Sequence, residues 1–237
     1  MRLPDNVTGI IFDCDGTLVD SEAIHATALS AVLGNGGHRI SADVIMQRFT
    51  GCDIGRLLRQ LSDEWRVTWP PGIEALIEDA TRELLDEQAT AMSGAVAALN
   101  AVRECNMCMA VASNSSHRLV AAMLRRTHLA EYFGDRVATR DQVGAPKPAP
   151  DVYRLAARLC ATAPSSLLAI DDSPAGILSA RAAGMTAIGY LPPQSTIAVG
   201  DLERAGAFVV LDHLNQLADL VHASRVTSNR LDTVAPA

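Results

Sequence analysis

Six short apolar runs, at residues 8–12, 107–112, 136–138, 167–170, 186–190 and 207–211, alternate with stretches of helical spacing. Short runs bounded by Asp, Asn or Gly read as buried strands. Val152, Leu155, Ala156 and Leu159 fall at i, i+3, i+4 and i+7, and the Ala-rich stretch 174–183 ends at Gly184, a natural helix stop. Strands alternating with helices require parallel pairing through crossovers. The expected fold is therefore α/β, a doubly wound parallel (Rossmann-like) sheet. One segment breaks the rule: residues 21–91 show helical patterning without a convincing strand. Ile24, Ala28, Ala31 and Val32 mark one apolar stripe there, and Leu76, Ile77, Ala80 and Leu84 another. Roughly seventy residues is too long for a crossover, so 21–91 is expected to be an inserted helical cap domain. Residues 1–20 and 92–222 then form the core domain, and the polar, unpatterned 223–237 a loose C-terminal tail.

Composition narrows the function. With 49% hydrophobic and 20% charged residues, the 237-residue chain is not intrinsically disordered. No apolar stretch approaches the roughly 18 residues of a membrane span, and the first six residues lack a signal peptide's apolar middle, so a cytoplasmic protein with no membrane partner is expected. A net charge of −7 argues against a sequence-independent grip on nucleic acid, which needs many phosphate-neutralising cations. The five cysteines, Cys14, Cys52, Cys105, Cys108 and Cys160, are odd in number and scattered, and are expected to be reduced packing thiols. Cys105 and Cys108 have C-x-x-C spacing, but the second ligand pair of a zinc site is missing.

The chemistry concentrates where strands end, as it must in a parallel α/β sheet. The first run leads into Asp13-Cys14-Asp15-Gly16-Thr17, two carboxylates at i, i+2 and a glycine that permits a sharp turn. Leu167-Leu168-Ala169-Ile170 runs into Asp171-Asp172-Ser173, where Ser173-Pro174 also has the form of a helix N-cap. Four carboxylates converging on one cleft raise one another's pKa unless a cation intervenes, and hard oxygen donors suit Mg²⁺. Ser113-Asn114-Ser115-Ser116 offers a hydroxyl, an amide and helix N–H groups as an anion cradle, or a plain N-cap. Lys147 stands between Pro146 and Pro148, a stiff setting that suits a point charge for phosphate.

Taken in order, D-x-D-G-T, the Ser113 strand end, K-P-x-P and D-D-S resemble the four motifs of the haloacid dehalogenase-like hydrolase superfamily. The helical insertion between the first two looks like the small cap of its β-phosphoglucomutase-like phosphatases. The resemblance implies that Asp13 is a nucleophile forming a phosphoaspartate, and that Asp15 is the general acid and base. It implies that Ser113, Asn114 and Gly16 contact the phosphoryl group, and that Lys147 neutralises charge. Mg²⁺ would be held by Asp13, the Asp15 carbonyl and Asp172, with Asp171 as a further ligand or a partner behind it. His25, near the cap hinge, and Gly51, on the cap loop, are the remaining candidates for substrate binding.

In the sugar phosphomutases of this subfamily the cap loop carries Lys just before its glycine and Arg three residues after it. Here those positions are Thr50 and Ile54, although Arg48, Arg56 and Arg59 lie close by. A phosphatase is expected over a mutase or a catalytically idle binding module. Its substrate is expected to be a small sugar, polyol or phosphogluconate-type phosphate ester. With four Phe, two Trp and three Tyr, stacking on a nucleobase is less favoured. A monomer is expected.

Overall fold

The computed structural model describes residues 3–4, 6–49 and 54–231. Its strands are β1 (Gly9–Phe12), β2 (Val19–Asp20), β3 (Thr90–Ala91), β4 (Cys108–Ser113), β5 (Val137–Thr139), β6 (Leu167–Asp171), β7 (Thr186–Tyr190) and β8 (Val209–Leu211). Six of them form one sheet in the order β5-β4-β1-β6-β7-β8, with every pairing parallel. The strand that comes first in the chain lies inside the sheet, between β4 and β6. The strand order reverses there, opening a crevice beyond the carboxyl ends of the strands.

Successive side chains on a strand face opposite ways, so β1 serves two cores. Ile10 and Phe12 join Val111 and Ile170 on one face; Ile11 joins Ala110, Ala112 and Ala169 on the other. All are fully buried, each larger side chain contributing about 1.5–3 kcal/mol through loss of water contact. Both faces being covered is why these strands read as continuous apolar runs rather than alternating ones.

The helices divide accordingly. α1 (Glu22–Asn35), α2 (Ala42–Phe49), α3 (Ile54–Trp65) and α4 (Ile73–Gln88) lie between β2 and β3. They gather a separate apolar cluster that includes Leu29, Leu33, Ile45, Leu57, Leu61 and Ile77. α5 (Ala95–Glu104), α6 (His117–Arg126) and α7 (Ala130–Phe133) cover one face of the sheet. α8 (Asp151–Leu159), α9 (Pro174–Ala182) and α10 (Val199–Ala205) cover the other, and α11 (Asn215–Leu231) returns to the first.

Several sequence expectations need correction. Residues 90–91 do form a strand: β3 pairs antiparallel with β2, Val19 opposite Ala91, so the insertion leaves and rejoins the core side by side. Two residues are too few to leave a periodic signal. The buried row of α1 is Ala26, Leu29 and Leu33 beside Ile24 and Ala28, while Ala31 is exposed. α1 is apolar around much of its circumference, so its pattern did not single out one face. On α4, Ile77, Thr81 and Leu85 are buried and Leu76 is 56% exposed. The chain is not a loose tail from residue 223, because α11, docked by buried Leu217 and Val221, continues to Leu231. Finally, Cys108 and Cys160 form a disulfide, with Cα atoms 5.9 Å apart. The expectation of reduced thiols fails for this pair because the crossover through α8 carries Cys160 back beside the start of β4, a proximity invisible in spacing. Cys14 and Cys105 are free.

Candidate active site

Asp13 follows β1, Ser113 ends β4 and Asp171 ends β6, so parallel pairing delivers all three to one edge. The Asp13 amide donates to the Ile170 carbonyl at 2.9 Å, extending the ladder one residue beyond the strand. The turn after it needs Gly16: its φ is +72°, and a Cβ there would overlap the Asp172 carboxylate.

Lys147 is buried, and its ammonium donates to Asp13 Oδ1 at 2.5 Å and to Asp171 Oδ2 at 2.7 Å. Burial works against its charge, but the two carboxylates outweigh burial and hold Lys147 protonated, its pKa above the usual lysine range. Asp171 is fully engaged elsewhere. Its Oδ2 also accepts from the Tyr153 hydroxyl at 2.8 Å, and its Oδ1 accepts from the amide and hydroxyl of Ser173 at 2.9 and 2.7 Å. Gly176 permits this packing, since a Cβ there would collide with the Asp171 carboxylate. Ser173 also caps α9, accepting from the Gly176 amide at 3.0 Å, so the capping and site readings of Asp171-Asp172-Ser173 both hold. The peptide bond between Lys147 and Pro148 is cis.

Asp15 faces another set of donors. Its Oδ1 accepts from Ser21 Oγ at 2.9 Å and meets His25 Nε2 at 2.8 Å; its Oδ2 accepts from Ser113 at 3.1 Å and Ser115 at 2.8 Å. Burial alone would raise its pKa, but His25 and the hydroxyls pull it down to about 2. Burial opposes charge on His25 as well, and Asp15 overcomes it, lifting the imidazole above its ordinary value. Both shifts favour the histidine as the proton's place in this pair.

Asp13 and Asp172 behave differently. Burial, reinforced by neighbouring carboxylates, pushes both well above the usual carboxylate range. Oxygens of Asp13, Asp171 and Asp172 lie within 4.8 Å of one another. An all-oxygen cluster whose excess negative charge lacks compensation fits a hard divalent cation such as Mg²⁺ and does not resemble a zinc set. With Asp171 committed to Lys147, Tyr153 and Ser173, Asp13 and Asp172 have the carboxylate oxygens with room for one.

Above this cluster opens a cavity of about 210 Å³, floored by Asp13, Asp15, Lys147 and Asp172 and roofed by the insertion. It is smaller than the ~300–1,000 Å³ typical of drug-sized ligands, and is scaled to a small molecule.

Residues 10–190 match the family model of the haloacid dehalogenase-like hydrolases. The chain belongs to that family. It is 30% identical to the fructose-1-phosphate phosphatase YqaB of Escherichia coli (strain K12), over 78% of this chain and 96% of that protein. The 6-phosphogluconate phosphatase of the same organism is 28% identical, over 76% and 80%. A haloacid dehalogenase family hydrolase from Deinococcus radiodurans, solved with bound phosphate and sodium, superposes with a TM-score of 0.77 at 29% identity, covering 94% of this chain and 98% of that one.

As a haloacid dehalogenase-like enzyme, and like these relatives a phosphoric monoester hydrolase, the chain places most sequence-selected residues around one cavity. Asn114 lines it, but its side chain is spent on the Lys147 main chain. Gly51 lies outside the described residues. Sequence reasoning passed over Ser21, Ser115, Tyr153, Glu78 and Arg140. Ser115 had a signal, as the hydroxyl two residues beyond Ser113; the rest meet the site only through tertiary folding. Glu78 on α4 accepts from Ser116 Oγ at 2.8 Å and faces Arg140 at 3.6 Å, tying the insertion to the core.

Proposed function

We propose that this hydrolase is a Mg²⁺-dependent phosphatase acting on a small phosphorylated metabolite, a sugar, polyol or phosphogluconate-type ester, as a cytoplasmic monomer. The observation that carries the reading is Lys147 bridging Asp13 and Asp171 at the floor of a small cavity, beside Asp15 and Asp172. The names of the two Escherichia coli relatives supply the substrate class.

In this reading Asp13 attacks phosphorus, and the ester P–O bond breaks as the new P–O bond to its carboxylate forms. The leaving oxygen takes a proton through Asp15, which draws it from His25 and is left as the carboxylate. Asp15 then takes a proton from water, whose oxygen attacks phosphorus and releases Asp13 and inorganic phosphate. Lys147 and the helix N–H groups after Ser113 balance charge on the transferred group. Asp13, the Asp15 main-chain carbonyl and Asp172 would hold Mg²⁺, which supplies charge neutralisation between phosphoryl oxygens and carboxylates. Phosphoryl transfer depends mostly on positioning and electrostatics, so this set is sufficient. The insertion acts as a cap over the cleft. Ile54 lines the cavity at the position where the related mutases carry arginine, which favours transfer to water.

The test is release of phosphate from p-nitrophenyl phosphate and a panel of phosphorylated metabolites, with and without Mg²⁺. The panel includes β-glucose 1-phosphate with a bisphosphate primer. Metal-dependent phosphate release is expected. Isomerised sugar without free phosphate would establish a mutase instead, and inertness toward every ester would leave a binding module.

A further inference from the structure

We infer that the cavity selects phosphate esters whose leaving group is a neutral polyhydroxylic alcohol and rejects those carrying a second anion. The inference rests on the phosphatase reading above and narrows its substrate class.

Away from the catalytic cluster, the described residues of the cavity wall carry the carboxylates of Glu74 and Glu78 and one guanidinium, that of Arg140. Glu78 faces Arg140 at 3.6 Å. The other cations of the lining are committed: Lys147 to Asp13 and Asp171, and His25 to Asp15. Between the carboxylates the wall is apolar, with Ile45, Leu57 and Ile77.

A leaving group with its own carboxylate or second phosphate would be stripped of water beside an excess of like charge. Like-charge juxtaposition of this kind is an effective means of rejecting a wrong partner. Hydroxyls meet the opposite situation. They donate to carboxylates, while the C–H faces of a sugar or polyol lie against the aliphatic wall.

Sorbitol 6-phosphate and 6-phosphogluconate form a matched pair, with the same carbon chain and the phosphate on the same carbon. They differ only in CH₂OH against carboxylate at C1. With Mg²⁺ fixed, kcat/KM is expected to favour sorbitol 6-phosphate by about tenfold or more, given the cost of like-charge contact. The gap should narrow between roughly 0.05 and 0.5 M salt, as charges are screened. It should narrow again in Glu74→Gln. Equal or reversed preference, or a gap that neither salt nor Glu74→Gln moves, would overturn the inference. Both compounds are also run as competitors of p-nitrophenyl phosphate hydrolysis. If that ester is turned over while neither compound reacts or competes, the proposed substrate class is wrong. If p-nitrophenyl phosphate itself is inert with Mg²⁺, the phosphatase reading has failed instead.

Discussion

Asn114 grips Lys147 by its main chain rather than its charge: Oδ1 accepts from the Lys147 amide at 2.8 Å and Nδ2 donates to the Lys147 carbonyl at 3.3 Å. With a proline on either side, the residue is held at both ends, and the ammonium is aimed before substrate arrives. Asn114→Ala should lower kcat/KM toward p-nitrophenyl phosphate by ~10–100-fold, the cost of misplacing a group by about an ångström. Asn114→Asp retains the acceptor and should fall between the two. Activity equal to wild type in Asn114→Ala would show that the prolines alone suffice.

Asp13→Asn should remain folded by circular dichroism and lose at least ~10⁴-fold in kcat, as expected when a nucleophile is removed. Turnover near wild type would remove Asp13 from the role given to it.

Asp13 and Asp172 repel one another until a cation arrives, so adding Mg²⁺ should raise the melting temperature. At tenfold over its Kd the rise should be roughly 3–5 °C, from the mass-action gain of binding to the folded state. In Asp172→Asn the Mg²⁺ effect should disappear. Without metal this variant should melt no lower than wild type, because a repelling carboxylate is gone. Scanning calorimetry with chelator and with Mg²⁺ reads both effects independently of activity.

The Cys108–Cys160 bond closes a separation of 52 residues, worth at most about 4 kcal/mol by the loop-entropy argument. It joins the start of β4 to the residue after α8, at the sheet edge opposite the cavity. Cys160→Ala should therefore lower stability to denaturant and leave kcat/KM within about twofold, since the altered site is remote. Thiol counting by mass spectrometry under denaturing, non-reducing conditions should find both cysteines unavailable for alkylation.

Asp141 accepts from the His117 amide at 3.1 Å and from the Thr139 hydroxyl at 2.5 Å, tying down the start of α6. Burial pushes its pKa up, but these donors prevail and hold it below its ordinary value. The carboxylate is thus favoured in the folded state. Its contribution is complete above the unfolded-state pKa near 3.9 and is lost as pH falls through the lower folded value. Asp141→Asn should cost about 1 kcal/mol at pH 7, typical of a helix cap, and the difference from wild type should vanish in strong acid. Urea titrations at several pH values would show it.

What could be read from the chain was whatever is local. A carboxylate at the end of an apolar strand keeps that position whatever surrounds it, so Asp13, Asp15, Asp171 and Asp172 were accessible from spacing and alternation alone. The partners that decide what each does were not. Tyr153 reaches Asp171 across 18 residues, Lys147 reaches Asp13 across 134, and Asn114 reaches the Lys147 main chain across 33. None of these leaves a periodic trace. The disulfide was hidden for the same reason, and the length of α11 because packing at Leu217 and Val221 supports a helix whose last turns lack an apolar stripe.

Asp15 is gripped from two bodies of the protein at once, by Ser21 and His25 at the root of the insertion and by Ser113 and Ser115 from the sheet. Swinging the insertion outward would strip half of those contacts and separate the proton reservoir from the carboxylate that dispenses it. A flooded cleft would then also be a disarmed one, and an acyl phosphate formed by the proposed route would be guarded against wasteful discharge by the same few atoms that register whether the roof is shut.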